Sequence, residues 1–317
     1  MSGDLKRKTA LFYSLMLLLI STAEASTIVV TVPDLKPIVE AIAGKDFEVY
    51  SLLPPGSDPH AFSLTVEDVK KLRSAVLIVL ANSELLDFEK DIASEFPNTL
   101  DFGDYSAELH DFPGFERNQH GYWMLPENAI GIAKAVKDKL SRMYPEKKVL
   151  FEENYAVFVD RIKEAEREAK KIAEEEAGKR YVAMVPGVCY IARTYNIDVA
   201  AVLISEGAGV VSAKELAEIR EKLRRGEYSG IIVPEFMKGG KGEEMAEELV
   251  KGTNAKIAWV KFSSGDVAYD TMLISNAARI AYASGFSKSS GENIWTYILL
   301  AICIIEALII AAIKVRT

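Results

Sequence analysis

Three histidines occur in the sequence, and their settings separate them. His60 ends the run Pro54-Pro55-Gly56-Ser57-Asp58-Pro59-His60, directly after a β-branched stretch. The prolines fix the backbone and leave an imidazole on a stiff loop, the preorganisation a metal ligand needs if loop ordering is not to consume binding energy. His120 precedes Gly121-Tyr122-Trp123-Met124-Leu125-Pro126-Glu127-Asn128, between a strand-like segment and a helix start. Taken alone, it is as compatible with an ordinary loop histidine as with a ligand. His110 lies in an acidic, aromatic, turn-rich stretch, 101–115, and reads as a surface residue. The chemistry in view is coordination of a divalent cation by neutral imidazole.

Such side chains need elements that hold them. In the first half, β-branched runs at Thr27–Val32, Phe47–Leu53, Val76–Leu80 and Thr99–Phe102 predict strands. Helical patterns follow at Asp34–Ala43, Val66–Arg73, Glu84–Phe96 and Glu127–Met143. The second half repeats the rhythm, with strands at Tyr181–Val185, Val199–Ile204, Gly230–Val233 and Lys256–Phe262. Its helices fall near Gly187–Tyr195, Ala213–Arg225, Glu243–Lys251 and Ala268–Tyr282. Strands alternating with helices imply parallel sheets covered on both faces. The fold class is therefore α/β, with two similar α/β lobes, 26–145 and 179–283. Between them, 146–178 carries Phe151, Tyr155, Phe158, Ile162, Ala165, Ala169 and Ile172 in one apolar stripe. That segment predicts one long rigid helix of about 45 Å joining the lobes. A ligand then belongs in the crevice outside the carboxyl ends of the strands, where His60 and His120 fall.

The ends and the composition bound the setting. Lys6, Arg7 and Lys8, a short apolar run from Ala10 to Ile20, and Ala23-Glu24-Ala25 read as a secretory signal peptide over 1–25. Residues 294–313 are nearly unbroken apolar sequence, long enough to cross a ~30 Å hydrocarbon core. Trp295 and Tyr297 stand at its start, where an aromatic belt belongs, and Lys314 and Arg316 follow it, so it reads as a C-terminal transmembrane anchor with an extracytoplasmic body. Glu306 within it is costly unless protonated or paired. The small, polar stretch 284–293 reads as a tether. Of the two cysteines, Cys303 falls in the span, which argues against an intramolecular disulfide and a thiolate cluster. No cysteine follows the signal region, so the anchor takes the place of a lipid. A net charge of −8 argues against nucleic acid as a partner.

The segment Leu53-Pro54-Pro55-Gly56-Ser57-Asp58-Pro59-His60-Ala61-Phe62, followed by Thr65–Arg73 and the strand ending Ala81-Asn82, resembles the zinc- and manganese-binding solute-binding proteins of ABC importers, which include the adhesin-like metal-binding lipoproteins. The similarity runs from Thr27 to about Tyr282. It implies two α/β lobes joined by one rigid helix, capture of a divalent metal without catalysis, and an ABC permease as partner. It also implies His60 as first ligand and His120 as second, although one extra residue separates His120 from Trp123. The second lobe departs from the pattern. Where the family has a His or Glu before the helix corresponding to Tyr190–Tyr195, this chain has Met184-Val185-Pro186-Gly187. The family's aspartate after the last strand falls near Ser263-Ser264-Gly265, with Asp266 close by, and the long histidine-rich loop of many zinc importers is absent.

Carboxylates at predicted strand ends are the candidate replacements: Glu206 in Ser205-Glu206-Gly207-Ala208-Gly209, Asp266 after the last strand, and, more weakly, Glu235. Two imidazoles and two carboxylates from His60, His120, Glu206 and Asp266 would neutralise a dication and suit manganese, zinc or ferrous iron better than copper(I). Acidification below about pH 6 would weaken such a site, because only neutral imidazole coordinates. A membrane-anchored sensor or adhesion ectodomain with lost or altered metal binding is the competing function. A metallohydrolase is a further one, against which stands the lack of a His-Glu-x-x-His cluster. Gly239-Gly240-Lys241-Gly242 lacks the phosphate-loop pattern and reads as a loop, and Cys189 reads as core packing.

Overall fold

The structure is a computed structural model that describes residues 26–57, 59–204, 209, 211–262 and 267–285. Two four-stranded, all-parallel sheets form it. In the first, β1 (Ser26–Val30) pairs with β2 (Phe47–Ser51) and β3 (Leu77–Val79), and β4 (Thr99–Leu100) closes the edge, giving the order β2-β1-β3-β4. Helices α1 (Lys36–Ala43), α2 (Val66–Ser74), α3 (Asp87–Glu95) and α4 (Pro126–Met143) accompany it. The second sheet repeats the order as β6-β5-β7-β8, from β5 (Arg180–Ala183), β6 (Asp198–Val202), β7 (Gly230–Pro234) and β8 (Lys256–Val260). Its helices are α6 (Val188–Thr194), α7 (Ala213–Arg224), α8 (Lys241–Val250) and α9 (Tyr269–Ala281). Strands buried on both faces need near-continuous apolar sequence, and Ile28, Val29 and Val30 of β1 and Gly230–Pro234 of β7 meet that requirement.

Local chemistry starts the helices where the sequence places them. Thr65 and Asp68 form a capping box on α2, and Ser212 and Glu215 form another on α7, each satisfying amide donors that the first turn leaves open. Pro126 occupies the first turn of α4, where its missing N–H is no loss.

The connecting helix, α5, runs over Lys148–Ile172. Its 25 residues measure about 37 Å, shorter than the length of about 45 Å expected of the segment 146–178. The chain breaks into a 3-10 turn at Glu174–Glu176 before β5. Phe151, Phe158, Ile162, Ala165 and Ala169 are buried along one side. Near its start, Asn154 donates to the Ile42 carbonyl of α1 (2.9 Å), and farther along Arg161 binds Asp270 of α9 through Nε (2.7 Å). One continuous apolar core includes β1 and β3, α5, and the inner face of the second sheet with α6 and α9. A second core of Val182, Met184, Leu203, Ile231 and Val233, with α7 and α8, fills the outer face of the second sheet. The junction between the halves is thus built as interior.

Among the described residues, no helix is long and apolar enough to cross a membrane. The predicted signal peptide, the predicted anchor at 294–313 and most of the tether lie outside the described residues, as do Asp58, Glu206 and Asp266.

Candidate metal centre

His60 leaves the carboxyl end of β2 on a loop held at both ends. Leu52 and Leu53 N–H donate to the Val30 and Thr31 carbonyls (2.9 and 3.0 Å), extending the pairing beside β1. Ser57 N–H then closes a turn on Pro54. Gly56 sits at φ +80, and a Cβ there would lie 3.4 Å from Cβ of Phe236 in the second half. His60 follows in a 3-10 turn, Pro59–Ala61. Beyond it, the Phe62 ring packs edge-on against Phe88 of α3 with centroids 5.0 Å apart. The side chain is exposed, as capture from solvent requires.

His120 is held more tightly. Its backbone N–H and its ring Nδ1 both meet Oδ1 of Asn118, at 3.0 and 2.9 Å. An oxygen that accepts the backbone proton also accepts the Nδ1 proton, which assigns the tautomer: Nδ1 carries hydrogen and Nε2 carries the lone pair a cation needs. Asn118 is 2 % exposed, and its Nδ2 donates across the junction to the Pro186 carbonyl (3.0 Å). Its own carbonyl accepts from the Tyr190 hydroxyl of α6 (2.5 Å). Gln119 is fixed by Asn82 (3.2 Å), and the Phe115 ring meets the imidazole edge-on. Gly121 then turns the chain at φ +65, where a Cβ would stand 2.8 Å from the Gly187 Cα. Only glycine allows that approach of two backbones.

These two loops bring the histidines together. The ring centroids of His60 and His120 are 5.8 Å apart, with planes inclined at 46°. A zinc ion ~2.1 Å from each nitrogen, at a tetrahedral angle, would place two imidazole centres roughly 5 Å apart. Small side-chain rotations therefore suffice for both to grip one ion.

His110 does not join them. It lines a separate polar groove of about 700 Å³ with Asp111, Lys170 and Arg193. There its Nε2 stands 3.5 Å from Glu108 Oε1, and its backbone N–H donates to Tyr190 (3.1 Å). Burial and the Arg193 charge lower its pKa, against the pull of Glu108. The sequence reading as a surface residue missed this packing on Tyr190.

In the second half, Glu235 is engaged elsewhere. Burial opposes its ionisation, but hydrogen bonds and charge from Lys238 (2.8 Å) and Arg279 (3.2 Å) outweigh that and lower its pKa. A carboxylate shared by two cations is a poor metal ligand. Gly239 N–H donates to Glu243 (2.5 Å), so the glycine-rich loop binds its own helix's carboxylate. Near Gly187 stands Phe262, whose ring packs on Phe236 with centroids 5.8 Å apart.

The segments carrying Glu206 and Asp266 are anchored where described. Val211 N–H donates to the Leu203 carbonyl (3.0 Å). After β8, Asn276 brackets Lys261 through both its N–H and its carbonyl (2.7 and 2.8 Å). Tyr269 opens α9 by donating to the Trp123 carbonyl (2.9 Å), three residues from His120. Among the described residues, no group of three or more His, Cys, Asp or Glu side chains could hold a metal. The described donors are the two histidines, supported by Asn118, which sequence reasoning missed because an amide buried before His-Gly carries no motif.

Residues 28–283 match the family described as zinc-uptake complex component A, periplasmic (ZnuA). The zinc-binding protein AdcA of Streptococcus pyogenes serotype M1 is 24% identical over 247 residues, covering 70% of this chain and 46% of AdcA. The manganese ABC transporter substrate-binding lipoprotein PsaA of Streptococcus pneumoniae is 26% identical over 230 residues, covering 67% of this chain and 73% of PsaA. This chain spans about half the length of the AdcA relatives it matches. Among solved structures, the periplasmic zinc-binding protein TroA of Treponema pallidum superposes with a TM-score of 0.68 at 19% identity, covering 81% of this chain and 98% of TroA, a likeness of fold.

Proposed function

The chain belongs to the ZnuA family of periplasmic zinc-uptake components, and from that premise we propose that it is an extracytoplasmic solute-binding protein that captures a divalent transition metal for an ABC permease. The observation that carries this reading is the His60–His120 pair: two imidazoles from separate loops, 5.8 Å apart, one with its tautomer set for coordination. Zinc and manganese, named for AdcA and PsaA, are the leading ions, with ferrous iron compatible with the same donors. Glu206 and Asp266 are proposed as the ligands from the second half, since two neutral imidazoles leave a dication's charge uncompensated. Residues 294–313 are proposed as a single-pass anchor that keeps the binder near its permease and raises effective concentration there. The role is capture and release, with no chemical turnover.

Metal analysis of the purified protein beside His60→Ala tests this reading. One equivalent of zinc, manganese or iron is expected in the parent and its loss in the variant. A parent protein that stays metal-free, with no thermal shift on adding any of these ions, would sink the proposal.

A further inference from the structure

Glu89 is fully buried on α3, three residues into the helix. Its carboxylate takes two backbone donors at the carboxyl end of β3: Ala81 N–H on Oε1 (3.0 Å) and Asn82 N–H on Oε2 (2.6 Å). The Thr31 hydroxyl lies beside it, donating to the Val79 carbonyl (3.4 Å) and accepting from Ala81 N–H (3.1 Å). One amide donor meets each carboxylate oxygen, so the ionised form satisfies both, while a protonated carboxyl turns a hydrogen on one of them.

The turn that Glu89 fixes is the seat of the His120 loop. Tyr122 donates its hydroxyl to the Ala81 carbonyl (2.6 Å), and Asn82 donates its side-chain amide to Gln119 (3.2 Å). Residues on both sides of His120 are thus tied to the two residues whose amides Glu89 binds. Elsewhere around the carboxylate stand Asp101, itself engaged by Ser83 and Phe102 N–H, and the buried phenols of Tyr105 and Tyr122. Asp87 and Lys90 of its own helix are exposed. Asp101 is the anionic neighbour whose charge raises the Glu89 pKa.

We propose that Glu89 is a positioning residue of the metal site, and that its ionised carboxylate, by holding the Ala81–Asn82 turn, couples metal capture to release of one proton to solvent. This inference rests on the metal-binding reading above. Burial, assisted by Asp101 and opposed by the Thr31 hydroxyl and the backbone amides, pushes the Glu89 pKa up to about 7. Near neutral pH the carboxyl of the apoprotein is therefore about half protonated. A dication beside His120 favours the carboxylate and expels it.

The test is the pH dependence of zinc affinity, measured on the purified full-length protein by chelator competition between pH 6 and 8. Wild type, Glu89→Gln and Thr31→Val are compared. Over that range the Glu89 proton steepens the wild-type loss of affinity by up to about tenfold relative to Glu89→Gln. Thr31→Val, which removes a hydroxyl beside the carboxylate that lowers its pKa, moves the onset of loss to higher pH. A metal-free readout accompanies it. The unfolded carboxyl titrates near its ordinary value and the folded one higher, so the folded state binds more protons in between. The metal-free thermal midpoint of wild type then falls with rising pH from 5 to 7.5 relative to Glu89→Gln. A Glu89→Gln affinity profile parallel to wild type, whatever its offset, overturns the proposal and leaves Glu89 as core structure. If Glu89→Gln does not fold, an unshifted Thr31→Val profile overturns it. If wild type binds no zinc at pH 8, the metal reading fails and the coupling with it, while the metal-free comparison still shows whether Glu89 holds the proton.

Discussion

Replacing Asn118 separates the support of His120 from the ligand itself. Asn118→Ala removes three hydrogen bonds: two accepted from His120 and one donated to Pro186. The ring loses the acceptor that fixes its tautomer, and loss of such an outer partner lowers metal affinity about 10- to 100-fold, or about 1.4–2.7 kcal/mol. The His120 amide and the Pro186 carbonyl also lose their partner, an orphaning that costs about 1–3 kcal/mol for each buried group. A total near 3 kcal/mol lowers Tm by roughly 5–10 °C. Asn118→Asp splits the two effects. Its carboxylate still accepts from Nδ1 and raises the basicity of the ring, so affinity holds or rises. It cannot donate to Pro186, so Tm falls. Zinc competition well below the lower Tm, read beside thermal melts, gives both quantities. If folded Asn118→Ala binds zinc as tightly as the parent while His120→Ala does not, the tautomer argument is wrong.

Two further perturbations address the frame around the site. Gly121→Ala combines φ +65 with a Cβ 2.8 Å from the Gly187 backbone. The strain and the forced separation of the loops should destabilise by about 2 kcal/mol or more, visible in urea unfolding, whereas Gly114→Ala, at φ +81 but in open space, should lose only the smaller conformational penalty. Glu176→Gln weakens a cluster in which half-buried Lys256 (2.8 Å), exposed Lys179 (3.2 Å) and buried Tyr181 (2.6 Å) meet one buried carboxylate, with an expected loss of about 1–2 kcal/mol after solvent screening of the lysines. Burial opposes ionisation of Glu176, and those partners overcome it, so its folded pKa lies below the ordinary carboxylate value. Its contribution is present above that ordinary value and disappears as pH falls through the folded one. Unfolding curves at pH 7 should differ between parent and variant and converge in strong acid.

Both sheets were legible because each strand carries its own evidence in β-branched runs, and the helices announce themselves through Thr65, Ser212 and Pro126. Boundaries slipped where the backbone changes geometry without a change in residue type. Nothing in Ala173–Glu176 marks the shift from α to 3-10, so α5 ends at Ile172, before the end of the expected segment 146–178. Of the site, His60 was readable from its prolines, and His120 from the Trp and Pro that follow. Their meeting at 5.8 Å was not readable, since it depends on how two loops leave one sheet edge. Asn118, Asn276 and Glu89 were silent for another reason. Each is a buried polar side chain serving backbone groups, and only the fold identifies which carbonyl or amide lacks a partner.

The distribution of support around the histidines bears on how an ion is gripped and released. His120 is tied to both halves, through Asn82 and Ala81 on one side and Pro186 and Tyr190 on the other, and the Gly121–Gly187 contact lets the backbones touch there. Movement of one half against the other at that point would break buried hydrogen bonds, so His120 belongs to the fixed part of the site. His60 sits on the exposed loop whose turn rests on Phe236, itself half-exposed in the second half. Capture would then begin at His60, whose side chain is exposed, and close onto His120, whose Nε2 is buried in the fixed part, with the proposed carboxylates completing the site. Release should follow the reverse order, with His60 letting go last. Loss of His60 should accordingly slow zinc association, whereas loss of His120 should chiefly speed dissociation.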